Sequence, residues 1–253
     1  MVLSERMSMT FFKNKIFQIS AAILSVVILI TVVVFVDFNK KTDNFGMVKV
    51  GKISAGFTFF DIGENTQFSN KLRSRLKDKL GSDAKENWVT LDLSINYQGF
   101  LQEHFPELHE LNKKLNSPVG ERVEHNTTKL TFRYAQQKSV PFEFVQLVFS
   151  NYTNKPLLIY IKSKKEGSDV IDTITKKYGD AKTIDWDKEE GKSLYWMKNR
   201  STLIISISDD RYGNPEYHTI IYYVPNLEEL LLQEQQTVKK EEEEIKKTGK
   251  TAF

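Results

Sequence analysis

The stretch LTFRYAQQKSVPFEFVQLVFSNYTNKPLLIYI, residues 130–161, decides the fold. Leu130, Phe132 and Tyr134 alternate around Thr131 and Arg133, Val145, Leu147 and Phe149 keep the same period around Gln146, and residues 157–161 form an apolar run. Side chains on a strand point alternately to opposite faces, so these three runs predict strands. Their connections are short and polar. Antiparallel strands need no crossover helix, which makes a meander the economical topology.

Working towards the amino terminus, Val89, Leu91, Leu93 and Ile95 alternate with Thr90, Asp92 and Ser94, predicting a further half-buried strand. Phe68, Leu72, Leu76 and Leu80 recur every four residues, one apolar stripe on a helix that Gly81 can end in a left-handed cap. Phe57-Thr58-Phe59 reads as a short strand, and a second helix begins near Pro106 with Leu108, Leu111 and Leu115 inward. Towards the carboxy terminus, Val170, Ile174 and Tyr178 line a helix. Leu194 and Trp196, then Leu203, Ile205 and Ile207, then residues 217–224 supply three more strands. The fold class is therefore α+β, antiparallel sheet with packed helices, over residues 53–225.

A duplication is written faintly into this order. Leu111-Asn112-Lys113-Lys114-Leu115-Asn116 and Ile174-Thr175-Lys176-Lys177-Tyr178-Gly179 share an apolar-polar-Lys-Lys-apolar-cap pattern, each ahead of three strand-like runs, which suggests repeats at 100–161 and 170–224. Leu76-Lys77-Asp78-Lys79-Leu80-Gly81 matches both. Ordinary helix capping, with cations at the negative end of the helix dipole, explains the same pattern without common descent. The order of a helix, Lys177-Tyr178-Gly179-Asp180, Trp196 and a Tyr-rich strand at 217–223 resembles the small helix-on-antiparallel-sheet modules of uncharacterised single-span bacterial envelope proteins. That resemblance covers mainly residues 170–224; it implies compartment and fold and carries no site residues. From residue 226 to 253 the chain reads as a helix capped by Asn226, docked through Leu227, Leu230 and Leu231. It then becomes Lys- and Glu-rich and ends in a frayed tail.

Residues 16–36, IFQISAAILSVVILITVVVFV, carry no charge. At 1.5 Å per residue they make a helix of roughly 31 Å, the thickness of a bilayer's hydrocarbon core. The run exceeds a signal-peptide core and is followed by Asp37-Phe38 in place of a small-residue cleavage site, so it reads as an uncleaved signal anchor. Arg6, Lys13 and Lys15 precede it, making residues 1–15 a short cytoplasmic tail and 37–52 a linker, with the following domain extracytoplasmic. The absence of cysteine removes disulfides, thiolate metal sites and cysteine nucleophiles. A cysteine-free exported domain suits a bacterial inner membrane facing the periplasm better than an animal secretory pathway. A net charge of +3 with 36 basic and 33 acidic residues gives no case for nucleic acid.

Chemistry-bearing residues are scattered. His104, His109, His125 and His218 form no helical metal pair, and the acids Asp185, Asp187, Glu189, Glu190, Asp209 and Asp210 lack calcium-loop spacing. Gly249-Lys250-Thr251 lacks the earlier glycine of a phosphate loop, and no serine sits in a nucleophile elbow. No catalytic residue, cofactor or metal is expected. Arg211-Tyr212-Gly213-Asn214-Pro215-Glu216-Tyr217 combines turn formers with residue types enriched at binding hot spots, so Arg211, Tyr212 and Tyr217 are the candidates for partner contact. Two function classes follow. One is an anchored, non-catalytic binding or structural domain whose partner is an envelope protein, peptidoglycan or lipid. The other is an envelope hydrolase or metal-dependent enzyme with a site assembled from distant residues. A concave pocket with converging acids or histidines would favour the second, an exposed aromatic patch or open sheet edge the first.

Overall fold

The computed structural model describes residues 56–133, 141–163, 167–186 and 191–251. The expected span 16–36, the tail 1–15, the linker 37–52, Tyr134, Asp187, Glu189, Glu190 and the last two residues lie outside the described residues. Among the described residues no helix is long and apolar enough to cross a membrane.

The protein is α+β, and its described residues build one antiparallel sheet of eight strands: β1 (Asp83–Val89), β2 (His125–Arg133), β3 (Phe142–Ser150), β4 (Pro156–Ser163), β5 (Lys182–Asp185), β6 (Gly191–Lys198), β7 (Ser201–Asp209) and β8 (Pro215–Tyr223). Their spatial order is β1-β2-β3-β4-β8-β7-β6-β5. The chain thus lays down two four-stranded meanders and joins them last strand to last strand, with Leu158 opposite Tyr222 and Ser163 opposite Tyr217. Both sheet edges are poor templates for further pairing. β1 is polar and exposed along most of its length, and β5 is four residues long.

Helices α1 (Asn70–Leu80) and α4 (Gly167–Tyr178) each precede one meander, and both pack on the same face. Leu72, Leu76 and Leu80 from α1 meet Phe132, Leu147 and Ile159, and Ile171 and Ile174 from α4 join the same cluster beside Leu203 and Ile221. Ser69 caps α1 by accepting the Leu72 amide at 3.2 Å, and Gly81 ends it at φ 82°. Arg73 and Lys77 then reach Asp83 at the start of β1, at 2.6 and 3.0 Å. Burial alone would raise the Asp83 carboxyl. The hydrogen bonds and charges of the two cations outweigh it and hold the group below the usual carboxylate range.

The opposite face is covered by α2 (Phe100–His104), α3 (Pro106–Leu115) and α5 (Val224–Thr251). Phe100, Leu108, Leu111, Leu227 and Leu230 pack there on Val148, Leu158, Ile204, Ile220 and Tyr222. Glu234 of α5 fastens that helix to β2, its carboxylate facing His125 Nδ1 at 2.9 Å and accepting the Asn126 amide at 3.1 Å. From Val238 to Thr248 the helix is exposed on all sides.

Three expected elements need correction. The alternating run 89–95 is not a strand: β1 ends at Val89, and residues 90–95 form an extended segment beneath α3. Leu91 and Leu93 are buried as the alternation requires, but their backbone groups bond to side chains. Asn112 accepts the Leu93 amide at 2.9 Å, Asn116 donates to the Leu91 carbonyl at 2.9 Å, and the Tyr222 hydroxyl donates to the Leu93 carbonyl at 2.6 Å. Period-two burial shows an extended chain, and an extended chain can be satisfied without a ladder. Phe57-Thr58-Phe59 likewise forms no sheet strand; Phe59 makes a single bridge to Ile62. Asn226 does not cap the last helix, which starts at Val224; its buried amide donates to the Glu64 and Pro156 carbonyls, both at 2.8 Å.

Candidate functional site

The central strands β4 and β8 bring a polar cluster onto the face that carries α2 and α3. Alternation puts Leu158, Tyr160 and Lys162 of β4 on this face with Tyr222, Ile220, His218 and Glu216 of β8. Towards Tyr222 the surface is apolar and covered by helices; towards Glu216 it becomes polar. His218 lies between two partners, the Tyr160 hydroxyl at Nδ1 and the Glu216 carboxylate at Nε2, the latter 3.3 Å away. Glu216 can only accept, so Nε2 donates to it, and in the tautomer that this bond selects Nδ1 accepts the Tyr160 hydroxyl proton. Lys162 completes the chain on Glu216 and approaches Glu143 at 3.7 Å.

The charges in this chain support one another. The Lys162 ammonium holds the Glu216 carboxyl below its usual range, with His218 helping and burial opposing. In return the hydrogen bond that Lys162 donates to Glu216 raises Lys162. Burial raises the Tyr160 phenol, so that its hydroxyl keeps its proton and remains a donor to His218.

Beside this cluster, β7 contributes Ser206, Ser208 and Asp209, and β6 contributes Ser193. Ser193 Oγ receives the Trp186 indole N–H at 3.1 Å and the Asn96 side-chain amide at 3.1 Å. The indole lies against Gly191, where a Cβ would come within 2.4 Å of the ring. The residue type at 191 therefore sets where the aromatic wall stands. The opposing wall is Ser94-Ile95-Asn96, the end of the extended segment beneath α3. It is shaped by Asp92, which accepts the Ser94 amide at 2.8 Å, and by Asn112, which donates to Ser94 Oγ at 3.2 Å. Between these walls is a cleft of about 490 Å³ lined by Ser94, Ile95, Asn96, Tyr160, Trp186, Ser206, Ser208, Asp209, His218 and Ile220. A shallower hollow of about 830 Å³ shares the Ser94-Ile95-Asn96 wall and runs on past Tyr97, His109 and Asn112 to Val119 and Glu121.

The partner-contact candidates do not share one surface. Arg211 and Tyr212 form the tip of the β7–β8 hairpin, the guanidinium 4.5 Å from the ring centroid and Tyr212 72% exposed. Asp210 shapes that tip by accepting the Tyr212 and Asn214 amides at 2.7 and 2.9 Å. Tyr217 belongs to the other face of β8, where its ring fills the space a side chain at Gly167 would need, 2.2 Å from that Cβ position. It packs α4 onto the sheet.

Among the described residues no three His, Asp or Glu side chains gather as metal ligands. His104 bonds the Tyr97 hydroxyl at 3.0 Å, while Glu110 pairs with Lys113. The cleft residues Tyr160, Ser206 and Asn96 were not singled out by sequence, and His218 and Asp209 stood there only among scattered histidines and acids. One signal for them exists: Lys162, His218 and Glu216 occupy alternate positions that should be apolar if those strands buried both faces throughout.

Fold and site together define an α+β protein with helices on both faces of an antiparallel sheet and a polar cleft over its central strand pair. No protein-family model, curated protein or solved structure matches the chain.

Proposed function

We propose that this protein is a non-catalytic binding domain of the cell envelope, anchored by residues 16–36 and facing the extracytoplasmic side, that holds the polar part of an envelope ligand in the cleft between Trp186, Tyr160 and Ser208. The supporting observation is the cleft itself: hydroxyl, amide and carboxylate groups converge beside an aromatic wall, the composition of a ligand pocket. Its strongest polar groups are engaged with one another. Both His218 nitrogens and the Tyr160 proton are committed within the Tyr160–His218–Glu216 chain, which leaves no imidazole nitrogen facing the cleft as a base. This favours holding a ligand over transforming it.

The same chain is the observation in favour of the second reading, an envelope hydrolase with Tyr160 as its acid, because a half-buried Tyr–His–Glu relay can move a proton. A photocrosslinking residue placed at Ser208 separates the site from the rest of the surface. In intact cells it is expected to capture an envelope component that the same residue at Tyr217 does not; equal capture at both positions would remove the cleft from the account. Hydrolysis of envelope substrates by the wild type but not by Tyr160→Phe would establish the enzyme reading instead.

The order helix, then four strands, at 70–163 and again at 167–223 supports descent of both halves from one unit. The two opening helices are α1 and α4, with α2 and α3 inserted between β1 and β2. On this reading the first unit starts near residue 70, and the Lys-Lys pattern at 111–116 is a capping coincidence.

A further inference from the structure

The cleft has a direction to its hydrogen bonding. Asn96 gives one amide N–H to Ser193, which leaves its carbonyl oxygen and its second N–H for a ligand. Tyr160 gives its proton to His218, which leaves its oxygen lone pairs. Asp209 can only accept. Ser206 and Ser208 accept as readily as they donate, and the Ser208 hydroxyl has no hydrogen-bond partner among the described residues. No lysine or arginine among the described residues lines the cleft. The lining is therefore rich in acceptors, carries one carboxylate, and lacks the cations that hold phosphate or carboxylate ligands.

From this we infer that the cleft takes an uncharged ligand rich in hydrogen-bond donors, a saccharide, seated with its hydroxyls towards Asp209, Asn96 and Ser208 and its C–H surface towards the aromatic wall; this rests on the cleft being the binding site. An anionic ligand would meet the Asp209 carboxylate, with no lysine or arginine among the described lining residues to balance it. A purely apolar ligand would strand the serine hydroxyls, Asn96 and Asp209 without partners. A sugar ring has many O–H donors around its edge and apolar C–H groups on its faces, and it satisfies both kinds of wall. Trp186 is suited to the apolar contact, since its N–H is already bonded to Ser193 and its ring is fixed against Gly191.

The test labels the full chain, in detergent micelles, with 5-fluorotryptophan. Trp88, Trp186 and Trp196 give three fluorine resonances, and of the three only Trp186 lines the cleft. The probes are chitobiose, a disaccharide carrying a uronic carboxylate, and putrescine. Chitobiose is expected to shift the Trp186 resonance saturably while Trp88 and Trp196 stay in place. The uronic disaccharide should bind at least about tenfold more weakly because its carboxylate opposes Asp209. Ser206→Leu, which fills the cleft, should abolish the shift; Ser208→Leu repeats the test at a half-exposed position if the first variant fails to fold, and an unchanged Trp196 resonance reports folding. Equal or tighter binding of the uronic sugar, or a Trp186 shift with putrescine alone, would overturn the saccharide assignment and leave the cleft as the site. No Trp186 shift with any probe would overturn the saccharide assignment, and if the Ser208 crosslinker also captured nothing, the binding-site reading would fall with it.

Discussion

Removing a single oxygen from the core, with Tyr222→Phe, tests how the wall of the cleft is held. Tyr222 is fully buried, and its hydroxyl donates at 2.6 Å to the carbonyl of Leu93, itself fully buried. The substitution conserves ring and volume, so cavity effects are small. What it leaves is a carbonyl in the extended segment 90–95 without the donor that replaced a sheet ladder. Stranding one such group costs about 1–3 kcal/mol. For a folded region of about 200 residues that corresponds to a fall in Tm of roughly 2–12 °C, at about 2–4 °C per kcal/mol. Urea unfolding of the full chain in micelles, followed by tryptophan fluorescence, should show the midpoint lowered and the slope unchanged. Because Leu93 adjoins Ser94, the variant should also weaken ligand binding at the cleft more than an equally destabilising change on α1. Burial raises the Tyr222 phenol far above its ordinary range, so the folded state resists its ionisation. The tyrosine's contribution is full below the unfolded pKa of about 10 and declines as pH rises above it. Tyr222→Phe should therefore lessen the alkaline loss of stability. A variant within about 0.5 kcal/mol of wild type, with unchanged alkaline behaviour, would refute the idea that side chains hold this segment in place of a ladder.

Asp83→Asn should cost about 1.5–3 kcal/mol by removing the charge and one of the two oxygens that Arg73 and Lys77 share, and by turning an N–H towards the cations. Since the folded state holds this carboxyl below its unfolded value, its contribution is present above the unfolded pKa near 4 and fades as pH falls through the lowered one; acid titration of stability should be flatter in the variant. Gly191→Ala forces a methyl to within 2.4 Å of the Trp186 ring and 2.8 Å of the Ile207 carbonyl, which should cost about 1–3 kcal/mol and displace the indole, visible as a changed Trp186 fluorine resonance. Glu234→Ala leaves His125 Nδ1 and the Asn126 amide without their acceptor; amide hydrogen exchange should accelerate at the start of β2 and in α5 while α4 keeps its protection.

The fold was legible where burial repeats with the period of an element. Leu72, Leu76 and Leu80 faced the core as their spacing required, and the runs at 130, 145 and 157 became β2, β3 and β4. It was illegible where pairing is not recorded in side-chain type. The edge strand β1 reads Asp-Ala-Lys-Glu-Asn-Trp-Val, polar because it is solvated, while the apolar alternation belongs to the following segment, whose backbone bonds lie with Asn112, Asn116 and Tyr222. The cleft was hidden for a related reason. Tyr160 and His218 sit within strands whose apolar neighbours dominate the pattern, and their meeting across β4 and β8 depends on a pairing between residues 58 positions apart. Arg211 and Tyr212 were prominent because turn residues stand out in sequence, and Tyr217 because of its company; the sheet sends Tyr217 to the opposite face, a consequence of alternation along β8.

The reading of an exported cleft depends on where this domain lies relative to the membrane. Protease added to spheroplasts, with a cytoplasmic marker protein as control and an antibody against the α5 tail as readout, measures that directly. The account predicts loss of the tail epitope while the marker survives, with the intact chain remaining in the membrane pellet after carbonate washing. A protected tail, or full-length protein released by carbonate, would contradict it.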